Sequence, residues 1–494
     1  MRILYLDIDT LRPDHLGCYG YGRNTSPNID GIAKGAVRFD NCYCSDAPCL
    51  PSRAAMFSGR LGIHNGVVGH GGTAADPCII GADRNFGNIP KYFGFIEMIN
   101  SAGYYTVSVS PFAERHAAWW FYSGFREMFN TGKRGGSEIA KEIYSYAMPW
   151  LEKNAKKDKW FLHLNFWDPH GPYRTPKDER ADLGGTAPQA KWLTKELLDK
   201  HLGSFGPHSA SETIGIGSKG ELDWWAKNYP ETPVLIDTLG KFHKFIDGYD
   251  QGIRYADTYI GKILKILEDN GVLEDTAIIV TSDHGENIGE LNVYGDHQTA
   301  DYITNRIPFM VKWPGLKPGE DSSLHYQVDL AATLVEFLGI KVPARWDGKS
   351  FKDSLLDNKP EGRESLVVSN CAWSCQRAVR WQDYVMIKTF HEGLKDFPET
   401  MLFNVRDDPH ETRNLATQNP ETVKKLLGML ESWHKQMMQT SESGIDPMQT
   451  VLKEGGPWHT RNDAAAYAQR LTETGREDHA RKILKWLKQG RYWK

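Results

Sequence analysis

Cys49 heads the run Cys49-Leu50-Pro51-Ser52-Arg53-Ala54-Ala55-Met56-Phe57-Ser58-Gly59-Arg60. Pro51 and Ser52 suit a first helical turn and Gly59 suits its end, so the thiol is expected just ahead of a helix N-terminus, where unpaired N–H groups favour anions. A cysteine there is poised for chemistry; the plainer alternative is a buried thiol on a helix-entry loop. Arg53, four residues on, would face Cys49 across one helical turn, its own alternative being a surface ion pair. Asp9, His116, His170 and Asp283 each follow a predicted strand. Open α/β sheets bind ligands outside the carboxyl ends of their strands, which would gather these distant residues into one pocket.

The elements that must do this are legible as apolar runs. Ile3–Asp9, Ala102–Val109, Trp160–Phe166 and Thr276–Ser282 read as strands of a mostly parallel sheet covered on both faces. A helix is expected from Asp250 to Asp269, stopped by Asn270-Gly271. Gly62 to Asn88 reads as a loop over the site, and Thr175 to Tyr249 as an irregular insertion where selectivity could reside. Beyond about Pro360, short runs (Ser365–Ser369, Ala378–Arg380, Tyr384–Thr389, Thr400–Asn404) predict a small antiparallel sheet. Helices over Pro420–Met438 and from Asn462 onward complete the chain. At 494 residues it is too long for one ordinary core. The expected division is an α/β domain over 1–360 and an α+β subdomain over 361–494.

A net charge of −4 argues against a nucleic-acid footprint, and the basic stretch near Arg481–Lys494 reads as a solvated helix face. No run is long enough to span a membrane, and no charged and apolar leader precedes the first strand. Seven cysteines without regular spacing give no disulfide framework, so a cytoplasmic location is expected.

Cys-x-Pro-Ser-Arg followed by Ala-Ala-x-x-Ser-Gly-Arg resembles the signature of the type I sulfatases, and Asp283-His284-Gly285-Glu286 at a strand's carboxyl end is a second specific match. Looser matches are Thr10–Gly20, Pro169-His170-Gly171-Pro172 and Arg306-Ile307-Pro308, so the likeness covers the chain nearly end to end. It implies an alkaline-phosphatase-like α/β fold. It also implies that Cys49 is converted by a maturation enzyme to formylglycine, the source of the nucleophile.

The resemblance further implies a cation held by Asp9, Asp283, His284 and an oxygen of modified Cys49, a set that suits Ca²⁺, with Mg²⁺ or Mn²⁺ as alternatives. Thr10 stands where many members have a second acid. Asp7, on the same side of the strand, is a substitute ligand or a buried acid bound to backbone. The family's Gly-Lys-Trp-His is replaced by Ala113-Glu114-Arg115-His116, leaving Arg115 or His116 to bind sulfate. His170 binds the ester or protonates its leaving oxygen. His297 stands in for a sulfate-contacting lysine, which would make the site's charge titratable near neutral pH. The implied activity is hydrolysis of a sulfate ester, with a sulfated saccharide as substrate. Phosphonate monoester or phosphodiester hydrolysis, and an inactive sugar-binding homologue, are the alternatives.

Overall fold

The computed structural model describes residues 1–78, 94–131, 138–185, 187, 191–217, 219–357 and 359–490. Its strands are β1 (Arg2–Ile8), β2 (Val37–Tyr43), β3 (Asp46–Ala47), β4 (Tyr105–Val109), β5 (Glu127–Phe129), β6 (Trp160–Phe166), β7 (Thr276–Thr281) and β8 (Asn287–Ile288). They continue with β9 (Tyr294–Asp296), β10 (Arg306–Lys312), β11 (Gly319–Tyr326), β12 (Ser365–Asn370), β13 (Cys375–Trp381), β14 (Tyr384–His391) and β15 (Thr400–Asn404). Eight of them form the main sheet in the order β11-β2-β10-β7-β1-β6-β4-β5. Within it β10 runs against both neighbours, and the other pairings are parallel.

Side-chain alternation along the central strands divides the core in two. Leu4, Leu6 and Ile8 of β1 pack with Leu162, Leu164 and Phe166 of β6 on one face, under the helix Leu239–Asp269. Ile3 and Tyr5 face the other way, joining Phe161 and the helix Cys49–Ser58. Asp7 and His163 share that second face because they lie in register with it, Asp7 two residues on from Tyr5 and His163 opposite Tyr5. The face that carries the Cys49 helix thus also carries the buried polar residues beneath it.

The antiparallel sheet forms as expected from β12 to β15, and β3 joins it in parallel, giving the order β15-β14-β13-β12-β3. Its edge is β3, which pairs Asp46 with Ser369 and Ala47 with Asn370 immediately before Cys49. Residues far along the chain therefore anchor the approach to the Cys49 helix.

Three sequence expectations change. The helix expected from Asp250 begins at Leu239, capped by Thr238, whose side chain accepts from Lys241 N. Its first turns hide behind Gly240 and Gly248, which weaken a helical pattern in sequence. A Cβ at Gly252 would lie 2.3 Å from the Asp168 carbonyl oxygen, so glycine is what lets this helix touch the loop that carries His170. The insertion is only partly irregular, since Lys195–Leu202 and Lys219–Asn228 are helices. The stretch after Gly62 opens with a short helix, Gly62–Asn65, and its residues 79–88 lie outside those described. The C-terminal helices are Pro420–Thr440, Pro447–Lys453, Ala464–Glu473 and Glu477–Lys488, with residues 491–494 of the basic stretch outside the described set.

Candidate active site

Cys49 is the first residue of its helix, buried, with Pro48 as N-cap. At the other end Gly59 takes φ +72°, and a Cβ there would strike the Trp346 ring, so glycine both stops the helix and seats it. Ser52 Oγ donates to the Asp283 carbonyl oxygen at 2.6 Å, tying this helix to the end of β7.

Asp9, Cys49, Asp283 and His284 offer ligand atoms that all lie within 4.8 Å of one another. His284 Nε2 is 3.1 Å from Cys49 Sγ, while its Nδ1 is 2.8 Å from the Gly285 carbonyl oxygen. A carbonyl only accepts, so Nδ1 carries the proton and Nε2 turns its lone pair toward Cys49, the tautomer a metal ligand requires. Thr10, at φ +58°, donates its N–H to Asp283 Oδ1 at 3.3 Å and its hydroxyl to the Asp9 carbonyl. Its side chain is thus engaged with backbone while its own backbone, strained for a β-branched residue, positions Asp283.

Arg53 is the hub. Nη1 reaches Asp9 Oδ2 at 3.1 Å and also Asp283 Oδ2, and Nε donates to Asp7 Oδ2 at 3.1 Å. One buried guanidinium therefore faces three buried carboxylates. Burial and the Asp283 charge push the Asp9 carboxyl well above its usual range. Asp9 Oδ1 and Asp7 Oδ1 are buried with no hydrogen-bond partner among the described residues. Excess buried negative charge, orphaned carboxylate oxygens and an unprotonated imidazole nitrogen together fit a divalent cation between Asp9, Asp283 and His284. Asp7 stands apart from that set, shared between Arg53 and His163, whose Nε2 lies 3.3 Å from the same Oδ2.

Burial, then Asp9 and Asp283, raise the Cys49 thiol, so an unmodified Cys49 is an uncharged and weak nucleophile. His170 and His297 converge on it, with Cys49 Sγ and one nitrogen of each ring mutually within 4.8 Å. His170 Nδ1 sits 2.6 Å from the Gly171 carbonyl oxygen, leaving Nε2 toward Arg115 Nη2 at 3.4 Å. His297 Nδ1 is 3.0 Å from Glu286 Oε2, and its Nε2 is 3.6 Å from Asp296 Oδ1. Burial and neighbouring His284 push His297 down to about 3, so the titration expected near neutral pH is displaced and the ring is neutral there.

Arg115 lies over the Trp167 ring at 4.7 Å, and Arg53 approaches the same indole at 5.6 Å. That shared aromatic spaces two guanidinium groups beside Cys49. His116 lies further out, against His70 with ring centroids 4.9 Å apart, its Nε2 buried and without a hydrogen-bond partner among the described residues. Sequence reasoning missed His163, Glu286 and Asp296, which support these groups, and His70, Trp373 and His459, which surround them. Asp296 adjoins His297 in sequence and was findable; His459 lies in a stretch without periodicity and gave no signal.

Residues 2–340 match the family model named Sulfatase. This chain belongs to the sulfatase family. Residues 293–441 also match the model of the N-sulphoglucosamine sulphohydrolase C-terminal region. The sulfatase is 24% identical to an N-acetylglucosamine-6-O-sulfatase of Bacteroides thetaiotaomicron, over 92% of this chain and 89% of that one. Among solved structures, BT4656 in complex with its substrate D-glucosamine-2-N,6-O-disulfate superposes with a TM-score of 0.64 at 20% identity, covering 91% of this chain and 99% of the other. The phosphonate monoester hydrolase of Agrobacterium radiobacter superposes with a TM-score of 0.62 at 17% identity, covering 89% and 96%. These last two likenesses are of fold. The sulfatase has, among the described residues, no helix long and apolar enough to cross a membrane.

Proposed function

We propose that this sulfatase hydrolyses the sulfate ester of a sulfated saccharide, using Cys49 matured to formylglycine and one divalent cation. The observation that carries the reading is the meeting of Asp9, Asp283 and His284 on Cys49, with Arg53 one turn along the same helix. The carboxylate-rich set favours Ca²⁺, and His284 leaves Mg²⁺ or Mn²⁺ as alternatives. When present, the formylglycine hydrate supplies the nucleophilic oxygen and the cation lowers its pKa. The saccharide class is supported by the name of the Bacteroides relative and by the sugar bound to BT4656.

The chain's own residues divide the remaining work. Arg53 and Arg115, both against Trp167, bind and neutralise the sulfate oxygens. His170, whose Nδ1–H is held by a carbonyl, has its Nε2 lone pair available to take a proton from position 49. His297, neutral and flanked by Glu286 and Asp296, is placed to hydrogen-bond the departing sugar oxygen. The absence of any disulfide among seven cysteines supports a reducing, cytoplasmic setting, in which a formylglycine-generating enzyme acts on Cys49.

The test is sulfate release from N-acetylglucosamine 6-sulfate and from an aryl sulfate, set against hydrolysis of a phosphonate monoester and a phosphodiester. Higher kcat/KM for the sulfate esters is expected. Higher kcat/KM for a phosphorus ester would transfer the site to that reaction.

A further inference from the structure

A cavity of about 290 Å³ opens between the helix Lys195–Leu202, the turn joining β8 to β9, and the segments flanking β15, and none of its walls belongs to the set gathered on Cys49. Small-molecule pockets begin at about this size. Trp192, Leu197, Phe205, Phe397, Met401 and Phe403 make its walls largely apolar. Lys395 lines it too, only 3% exposed, and its Nζ finds a single acceptor among the described residues, the Asn292 carbonyl at 3.1 Å.

An ammonium carries three donors and a full charge, so a buried one is ordinarily matched by a carboxylate. Lys395 is not. The acids whose charge it feels, Asp296 and Glu212, are engaged elsewhere. Asp296 Oδ2 lies 3.0 Å from His208 Nε2, Glu212 Oε1 accepts from both Arg470 and Arg476, and Tyr467 donates to Glu212 Oε2 at 2.8 Å. The other charged walls do not oppose the lysine either. Asp396 pairs with Lys482, and Glu411 accepts from Tyr302 N while burial pushes its carboxyl well above the usual range. His410 Nδ1 is held by Glu290 at 2.8 Å, and His201, lowered to about 4 by burial, is neutral. Lys200 adds an exposed second cation.

The lysine is also held in place. Asn292, whose carbonyl receives it, ties two further segments together, its Oδ1 accepting from Ala210 N at 3.0 Å and its Nδ2 donating to the His201 carbonyl at 3.1 Å. The ammonium is thus presented in a fixed position, which lowers the ordering cost of binding. A carboxylate would complete its hydrogen bonds with charge assistance, and a flat apolar body would bury its surface against the aromatic walls. A neutral hydrocarbon would leave the ammonium unmatched, and a sulfated sugar would set its hydroxyls against apolar side chains. We infer that this cavity binds a monocarboxylate with a flat apolar body, its carboxylate on Lys395 and its body against Trp192, Phe205 and Phe403. Such an acid is a ligand distinct from the ester that reacts at Cys49.

The experiment is calorimetric titration of the full chain with 2-naphthoate and with its uncharged analogue 2-naphthamide, at pH 6. Burial lowers Lys395 to about 7, so the ammonium is charged there. The parent should bind one naphthoate per chain, about tenfold more tightly than the amide, the scale of one charge-assisted hydrogen bond. Lys395→Met should weaken naphthoate about tenfold and leave the amide unchanged, abolishing the discrimination. Arg115→Ala, at the sulfate end of the catalytic site, should bind naphthoate as the parent does. No measurable binding of naphthoate, equal affinity for acid and amide in the parent, or loss of naphthoate binding in Arg115→Ala overturns the inference, the last by placing the acid beside Cys49. If Lys395→Met folds poorly, the comparison of acid with amide on the parent and the Arg115→Ala titration still decide. Each of these outcomes leaves the sulfatase reading intact.

Discussion

Arg53 Nε donates to Asp7 Oδ2 at 3.1 Å, so an acid two residues before Asp9, one pleat deeper in β1, fixes the guanidinium that faces Asp9 and Asp283. His163 and Ser108 extend the support, with 2.9 Å between His163 Nδ1 and Ser108 Oγ. Asp7→Asn keeps the shape but removes the charge behind Arg53. It should lower kcat about tenfold or more with a smaller change in KM, as read from steady-state kinetics. A kcat within twofold of the parent would make Asp7 a packing residue.

Cys49→Ala should abolish sulfate ester hydrolysis while preserving the thermal transition, because the side chain supplies chemistry and little packing volume. Intact mass gives a separate reading: conversion to the aldehyde lowers the mass by about 18 Da. Full parental mass in an active preparation would remove formylglycine from the reaction.

Chelation should remove activity, and Asp283→Ala should reduce the metal measured per chain. The substitution leaves Arg53 with one fewer anion and the cation with an incomplete shell. Undiminished metal content would place the cation elsewhere.

Gly252→Ala puts a methyl group 2.3 Å from the Asp168 carbonyl oxygen, two residues before His170. Overpacking of this kind costs about 1–3 kcal/mol. The structure can relieve it by moving the loop, so kcat should fall along with the melting temperature. Loss of stability with kcat intact would show that the His170 loop is indifferent to this helix.

Lys395 is buried, donates Nζ to the Asn292 carbonyl at 3.1 Å, and is lowered by burial to about 7. Between that value and its ordinary value of 10.5 the unfolded chain binds the extra proton, so Lys395 makes stability rise with pH across that window. Its full penalty is present below about 7. Lys395→Met should therefore stabilise by about 2–4 kcal/mol at pH 6 and by much less at pH 10, measured by denaturant unfolding at both. Equal effects at the two pH values would show that the lysine keeps its charge in the fold.

Much of this protein is local and was legible without coordinates. The apolar runs of β1, β6 and β7 specify buried parallel strands, and the position of Asp9, His170 and Asp283 just past strand ends specifies which edge of the sheet is functional. Helical spacing alone puts Arg53 on the side of Cys49. Tertiary structure decided what spacing cannot encode. Asp7 supports Arg53 because alternation and register put it beside His163, a strand away. Gly240 and Gly248 disguised the first turns of a helix as an insertion, and Gly252, within the stretch that reads as helix, is required by its contact with the Asp168 loop. His70, His208, Trp373 and His459 touch one another although the chain keeps them far apart. Contacts between segments hundreds of residues apart leave no periodic trace in either, so folding alone assembles that cluster.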